Sequence, residues 1–269
     1  MDDRMTANRA TQIGIDRLVR LAWLERTSSL VLAGNTPSDT KAILQNDLCD
    51  AFQSGKMAKR GSLDKTITIL MKVWLTTPRE LAALRAAGLE LLKQLPRPDR
   101  MVIHWGMVMA VYPFWASVAD QVGRLIKLQG SVVASQVQRR MREQYGERET
   151  VLRRTRYVLR SFVDWGVLRQ KDKAGVYEQL PAITIADKEI LAWLIEAALI
   201  SRTNGPIDLK SLLGSSSLFP FSLSRISAEE LLSKSSRLDV IRHDLDEELV
   251  LLKKSKQVPI DIIGIDGNK

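Results

Sequence analysis

The chain of 269 residues carries 40 Lys and Arg against 31 Asp and Glu, a formal net charge of +9, and 45% of its residues are hydrophobic. This balance is that of a globular protein with a sizeable core, and the 15 Gly and 9 Pro exclude a collagen-like or low-complexity chain. The single cysteine, Cys49, excludes an intramolecular disulfide and a multi-cysteine zinc site, so we expect a reducing, cytoplasmic location.

The first hundred residues predict a series of helices. Apolar residues recur close to helical spacing over 10–25. A cluster of capping residues follows, in which Ser38 or Asp39 is the expected N-cap of the next helix. Thr77 and Pro78 are typical of a further helix start, with Thr77 as the N-cap and Pro78 at the first helical position.

An uncharged run follows at Met101–Ala119. Its 19 residues approach the roughly 20 that a membrane-spanning helix needs. His104 and Pro113 count against a membrane span, because proline breaks or kinks a helix interior. A buried helix that ends near Tyr112, followed by a second helix from Pro113, explains the run equally well. We therefore interpret this run as protein core and expect no membrane contact.

Positive charge is concentrated in one window of the sequence. Residues 124–178 contain 13 basic and 6 acidic residues, a net charge of +7, whereas residues 1–123 have a net charge of +4. Residues 179–269 are slightly acidic. Such asymmetry is typical of a surface that binds a polyanion such as nucleic acid.

The order of predicted elements in this window is three helices followed by a hairpin. Gly130, Gly146 and Gly166 each close a helical pattern, because glycine favours the position after a helix end. Two β-prone runs then flank a charged tip at Lys171–Gly175, which indicates a hairpin. This order predicts a winged helix-turn-helix over 115–180.

The third predicted helix has an apolar side and a basic side. At 100° per residue, one side of this helix carries a mainly apolar stripe whose members lie within about 40° of its first residue. The stripe consists of Val151, Thr155, Val158 and Phe162. The opposite side, between about 140° and 200°, holds Arg153, Arg156 and Arg160. One side can pack on a core while the guanidinium groups, whose planar fork donates two parallel hydrogen bonds, bind phosphate or guanine.

Further polar residues extend the predicted DNA-binding surface. Thr150 and Arg154 lie on the adjacent face of the same helix, and the hairpin tip is expected to reach a nearby phosphate or the minor groove. In a helix-turn-helix the preceding helix braces the DNA backbone. The residues of that helix and of the tip are Arg139, Arg140, Arg142, Lys171 and Lys173.

The predicted fold is therefore mainly α. It consists of a helical domain at 1–114, the winged helix-turn-helix with its short β-hairpin wing at 115–180, and a helical C-terminal extension at 181–269.

Several interpretations of the basic window stay open. Binding of double-stranded DNA is the preferred one, and RNA binding through the same basic face is an alternative. A protein–protein adaptor of a multi-subunit complex is a third, supported by the apolar run at 101–119 and the SSSLFPF loop at 215–221. In a further interpretation, the arginines form only a solvated face and pair at the surface with Glu143, Glu147 and Glu149.

The residue types and motifs of catalysis are scarce. Of the two histidines, we interpret His104 as a hydrogen-bonded core residue and His243 as part of a solvated helix face. Cys49 occupies an apolar-periodic position, which favours a buried thiol over a nucleophile. Phosphate-binding glycine loops, G-x-S-x-G and H-E-x-x-H do not occur. We therefore predict a non-enzymatic protein with no cofactor and no metal.

Two segments support a family resemblance: HWGMVMAVYPFW, around Trp105 and Trp115, and RYVLRSFVDWGVL at Arg156–Leu168. In the order of these features the chain resembles the small accessory protein of BREX-type phage-defence systems. The resemblance spans most of residues 10–180, and residues 181–269 exceed the length expected of that family. It implies a helical domain, DNA binding in host defence and other defence-system proteins as partners. No catalytic residues carry over.

Overall fold

The computed structural model describes residues 13–52, 59–202, 205–244 and 247–253. Within these ranges the chain is mainly helical, as the sequence predicted. The α-helices are α1 (Leu21–Leu32), α2 (Pro37–Leu48), α3 (Lys59–Trp74), α4 (Ala82–Gln94), α5 (Met101–Val111), α6 (Pro113–Gln129), α7 (Ala134–Tyr145), α8 (Glu149–Asp164), α9 (Lys188–Ile200), α10 (Leu209–Leu213) and α11 (Ala228–Lys234). The strands are β1 (Val132–Val133), β2 (Leu168–Gln170), β3 (Val176–Gln179), β4 (Ile183–Ile185), β5 (Ile207–Asp208), β6 (Phe221–Leu223), β7 (Leu238–Asp244) and β8 (Glu247–Leu252).

The N-terminal helix begins later than its apolar spacing predicts. Residues 13–20 have no regular secondary structure, and α1 starts at Leu21. The backbone of Val19 is instead bonded to the end of α8: its N–H donates to Ser161 Oγ at 3.0 Å, and its carbonyl accepts from Trp165 Nε1 at 2.9 Å. Buried backbone groups need partners, and here distant side chains supply them in place of a helix.

Two helix caps differ from those that the sequence predicts. Thr36, rather than Ser38 or Asp39, is the N-cap of α2, because its hydroxyl oxygen accepts from the Asp39 N–H at 3.2 Å. Thr77 does not cap a following helix, since its hydroxyl donates to the Val73 carbonyl at 2.9 Å, at the end of α3. A single 3₁₀ turn then precedes α4.

The uncharged run folds as two helices that separate at Pro113, as predicted. Every residue of α5 is buried, and the apolar side of α6 is buried as well. Gly106 lets α9 approach α5 closely, because a Cβ at that position would lie 2.5 Å from the Trp193 ring. In the described residues no single helix is long and apolar enough to cross a bilayer. The helical segments 97–111 and 113–129 reach that length and composition only when taken together, and they are bent by 116° relative to each other.

An aromatic cluster at the centre of the core connects distant parts of the chain. The ring of Trp105, on α5, lies 5.0–5.9 Å between centroids from five other rings. They belong to Trp115, Phe162, Trp165, Phe219 and Phe221. The core therefore crosses both expected domain boundaries, near residues 114 and 180.

The described part of residues 181–253 contains both helices and strands, whereas the sequence predicted a helical extension over 181–269. Residues 254–269 of that extension lie outside the described residues. The N-cap of α9 is Asp187, whose carboxylate accepts from the Glu189 and Ile190 N–H groups, and β4 precedes this helix. Strand β4 pairs in parallel with β6, and β7, β8 and β5 form an antiparallel sheet. Most of these strands have two or three residues, too few for a strand period to appear in the sequence.

Residues 113–179 contain the elements that position the basic window. The order is α6, β1, α7, α8, β2 and β3, and the three strands form an antiparallel sheet in the order β1-β3-β2. Gly130, Gly146 and Gly166 end the three helices with φ angles of +68°, +91° and +68°, a region that suits glycine. The β2–β3 hairpin is present as predicted, and the pairing of β1 with β3 was not anticipated.

Candidate nucleic-acid interface

Helix α8 has the two opposite sides that its sequence predicts. Its buried side chains are Val151, Thr155, Val158, Leu159, Ser161 and Phe162. Its exposed side chains are Glu149, Arg153, Arg156, Arg160, Val163 and Asp164. We call Arg153, Arg156 and Arg160 the arginine row. The apolar side holds the helix on the core, and the arginine row therefore faces solvent.

The arginine row has no acidic partner among the described residues. The ion pairs of this region involve other cations: Arg20, Arg124, Arg139, Arg142, Arg169 and Lys171. Asp164, at the end of α8, is already engaged by the Leu21 N–H at 3.2 Å and by Arg20 at 3.8 Å. The full charge of the row is therefore available to a ligand.

The predicted contact residues of α7 are less free. Arg139 Nε is 3.7 Å from a glutamate one turn further along the helix, and Arg142 pairs with Glu147 at 3.1 Å. Arg140 donates to Gln121 Oε1 at 3.4 Å. The solvated-face interpretation, in which glutamates neutralise the arginines, thus applies to Arg139 and Arg142 and not to the arginine row.

Thr150 and Arg154 lie beside the arginine row and are half-buried. The Nε atoms of Arg154 and Arg142 are shielded from solvent and have no hydrogen-bond partner among the described residues. A buried donor without an acceptor costs free energy, so these two atoms are a local cost to the stability of the fold.

The hairpin tip is exposed, but part of its charge is neutralised. Glu178 on β3 lies opposite Arg169 on β2, accepts hydrogen bonds from both Nε and Nη2 of that arginine, and is 3.4 Å from Lys171 Nζ. The Arg169 hydrogen bonds lower the pKa of the Glu178 carboxyl, with Lys171 adding to the effect. Lys173 has no ion pair with any described residue. The cross-strand register of the hairpin was the signal that could have revealed the Arg169–Glu178 pair.

His104 belongs to a buried network, as predicted. The indole N–H of Trp74 donates to His104 Nδ1 at 3.1 Å, and Nε2 is 2.8 Å from a carboxylate oxygen of Glu25, whose other oxygen is 3.5 Å from Arg100. Because an indole can only donate, Nδ1 must accept, so the ring is neutral and carries its proton on Nε2. Burial lowers the pKa of His104 despite the nearby carboxylate. The network fixes α1, α3 and α5 to one another.

Other places for chemistry are poor in reactive groups. A small open cleft of about 270 Å³ adjoins Trp165, Pro181 and Pro220, and Arg97 is the only titratable residue of its lining. Cys49 is half-buried rather than buried. Among the described residues, no group of three or more His, Cys, Asp and Glu side chains is arranged to hold a metal ion.

No protein-family model, no curated protein and no solved structure matches this chain. The function is therefore inferred from the geometry of the arginine row and its surroundings.

Proposed function

We propose that residues 113–179 form a winged helix-turn-helix that binds double-stranded DNA, with α8 in the major groove, and that the protein acts without catalysis. The observation that carries this proposal is the arginine row. Three exposed guanidinium groups, without acidic partners among the described residues, lie along one side of a helix whose other side is anchored in the core.

The order of elements supports the winged-helix interpretation. Helices α7 and α8 are separated by only residues 146–148, as in a helix-turn-helix whose second helix enters the major groove. The β2–β3 hairpin follows α8 directly, and β1, which precedes α7, adds a third strand beside β3. A hairpin in this place is the wing.

The surroundings of each cation suggest a division of roles. The arginine row contacts base edges and phosphates in the groove. The DNA backbone is contacted by Thr150 and Arg154 beside the row, by Arg140 on α7 and by Lys173 on the wing. A smaller contribution comes from Arg139, Arg142 and Lys171, because their own glutamates compete with phosphate.

Duplex DNA suits this surface better than duplex RNA. The major groove of B-form DNA is about 12 Å wide and admits an α-helix, whereas that of A-form RNA is too deep and narrow for side chains to read. A row of cations on a helix is therefore matched to DNA.

The two segments that favoured an adaptor are mostly buried within the chain. Every residue of α5 is buried, and Phe219 and Phe221 of the 215–221 loop are 8% and 7% exposed. A role as an accessory factor in phage defence, with other defence-system proteins as partners, rests on the resemblance at 104–115 and 156–168 alone.

The test is the triple variant Arg153→Ala/Arg156→Ala/Arg160→Ala, titrated against a fluorescent 20-base-pair duplex over a salt series. For the wild type we expect log affinity to fall with log salt by about 0.9 for each phosphate neutralised. The variant should bind at least about tenfold more weakly and with a shallower slope.

A matched control removes the same charge elsewhere. Arg79, Arg97 and Arg225 are exposed and lie outside 113–179, so their triple alanine variant should bind almost as the wild type does. Circular dichroism would verify that both variants fold. Equal binding by the arginine-row variant and the wild type at matched salt would overturn the proposal.

A further inference from the structure

The exposed side of α8 is chemically selective as well as basic. We propose that the arginine row recognises guanines in the major groove, so that the ligand is a G·C-rich duplex site. This inference rests on the proposed DNA binding and adds to it the class of sequence bound.

The arginine row matches guanine better than adenine. Guanine presents two acceptors, N7 and O6, in the major groove, and the arginine fork donates to both. Adenine presents an acceptor and a donor there, which a side-chain amide matches. The exposed side of α8 has three arginines and no Asn or Gln.

The spacing of the row fits neighbouring base pairs. Positions 153 and 160 are seven steps apart, about 10.5 Å along a helix axis at about 1.5 Å per residue, with position 156 between them. Successive base pairs are about 3.4 Å apart, so three arginines can contact guanines within about four base pairs.

The residues at the two ends of the row can contact bases that neighbour the guanines. Glu149, exposed in the first turn of α8, can accept a hydrogen bond from the N4 amino group of cytosine. Val163, 37% exposed beyond Arg160, can contact the methyl group of a thymine. Asp164 is engaged by the Leu21 N–H and by Arg20 and is therefore turned toward the N-terminal segment.

The full chain supplies the experiment, in two steps. Duplexes with a randomised centre are selected on the protein at 150 mM salt, and we expect guanine runs to be enriched. The selected duplex is then compared with a version that contains 7-deazaguanine, which lacks N7, and with one that contains inosine, which lacks only the minor-groove amino group. We expect 7-deazaguanine to weaken binding about tenfold for each contacted guanine and inosine to leave binding unchanged.

A charge-conserving variant separates recognition from attraction. Arg153→Lys/Arg156→Lys/Arg160→Lys keeps the positive charge but loses the planar forks. We expect it to bind unselected duplexes as the wild type does, with the same salt slope, and to respond less strongly to 7-deazaguanine, because an ammonium donates to guanine without the geometry of the fork.

The outcomes distinguish this inference from the function on which it rests. Tight, salt-dependent binding to every duplex, with no response to 7-deazaguanine, would overturn guanine recognition and leave DNA binding in place. Absence of duplex binding, or a preference for structured RNA in a competition assay, would overturn the proposed function itself.

Discussion

Helices α5 and α8 contribute to the same aromatic cluster, yet they differ in how they present their side chains. All eleven residues of α5 are buried, whereas α8 buries one side and exposes the other. A helix that is buried all round can only build the core. A helix that is divided can stabilise the fold through one side and leave the other free for a ligand.

The polar groups of the two helices show the same difference. In α5, His104 and the Trp105 indole find hydrogen-bond partners in other parts of the chain, Glu25, Trp74 and the Ser217 carbonyl. In α8, the arginine row has no acidic partner among the described residues. The polar groups of α5 are thus satisfied within the protein, whereas the charges of the arginine row are not.

Among the substitutions that separate the two helices, Trp105→Ala should change stability most. The ring is fully buried at the centre of the aromatic cluster, so its removal should lower the free energy of unfolding by about 3–5 kcal/mol, measured by urea denaturation. Val163→Ala, on the exposed side of α8, should change it by less than about 0.5 kcal/mol. If Trp105→Ala fails to fold, Trp105→Phe takes its place in the test. Its melting temperature should be lower than that of Val163→Ala, and equal melting temperatures would contradict the difference between the two helices.

A second effect concerns pH. Unfolded His104 titrates near 6.5, while the folded residue has a lower pKa because it is buried. The stability is therefore fully present above pH 6.5. It decreases as the pH falls from 6.5 toward the pKa of the folded residue, by at most about 1.4 kcal/mol per pH unit.

Trp74→Phe is the control for this pH dependence. It removes the indole N–H, so that Nδ1 can take up a proton while Nε2–H still faces Glu25. Measured by urea denaturation at pH 7.5, 6.5 and 5.5, and compared with its own value at pH 7.5, the variant should lose stability less steeply than the wild type. Equal losses in the two proteins would show that Trp74 does not hold the ring neutral.

The smallest predicted effect lies on the hairpin. Glu178→Gln would release Arg169 and Lys171, which should raise duplex affinity roughly two- to fivefold and steepen the salt dependence. As a control, Asp172→Asn removes the same negative charge from the exposed tip. Asp172 forms no ion pair with a described residue, so this variant releases no cation. Fluorescence anisotropy of the two variants compares them directly, and an equal gain would assign the effect to net charge alone.

The parts of the fold that sequence analysis predicted depend on local chemistry. Pro113 separates α5 from α6 because proline lacks an N–H and suits the first turn of a helix. Gly130, Gly146 and Gly166 end helices because the chain takes a positive φ there. The amphipathic division of α8 follows from its 3.6-residue period, so most of the candidate site could be placed before the structure was known.

The parts of the fold that were not predicted depend on contacts between residues far apart in the sequence. Apolar residues of segment 13–20 have helical spacing, but Val19 bonds to side chains about 140 residues further along. Likewise, β4 pairs with β6 across 38 positions, from Ile183 to Phe221. The neutralisation of Lys171 by Glu178 depends on strand register, which residue composition does not reveal.

The crowding of indoles around Trp105 has a practical consequence. Trp105, Trp115 and Trp165 lie 5.0–5.8 Å apart, and rings fixed in a rigid, asymmetric setting give near-ultraviolet circular dichroism that vanishes when tertiary packing loosens. Trp165 is the C-cap of α8, so loss of the packing of that helix on the core changes the signal. The protein thus carries an intrinsic optical reporter of its tertiary packing, and its unfolding can be followed without attaching a dye.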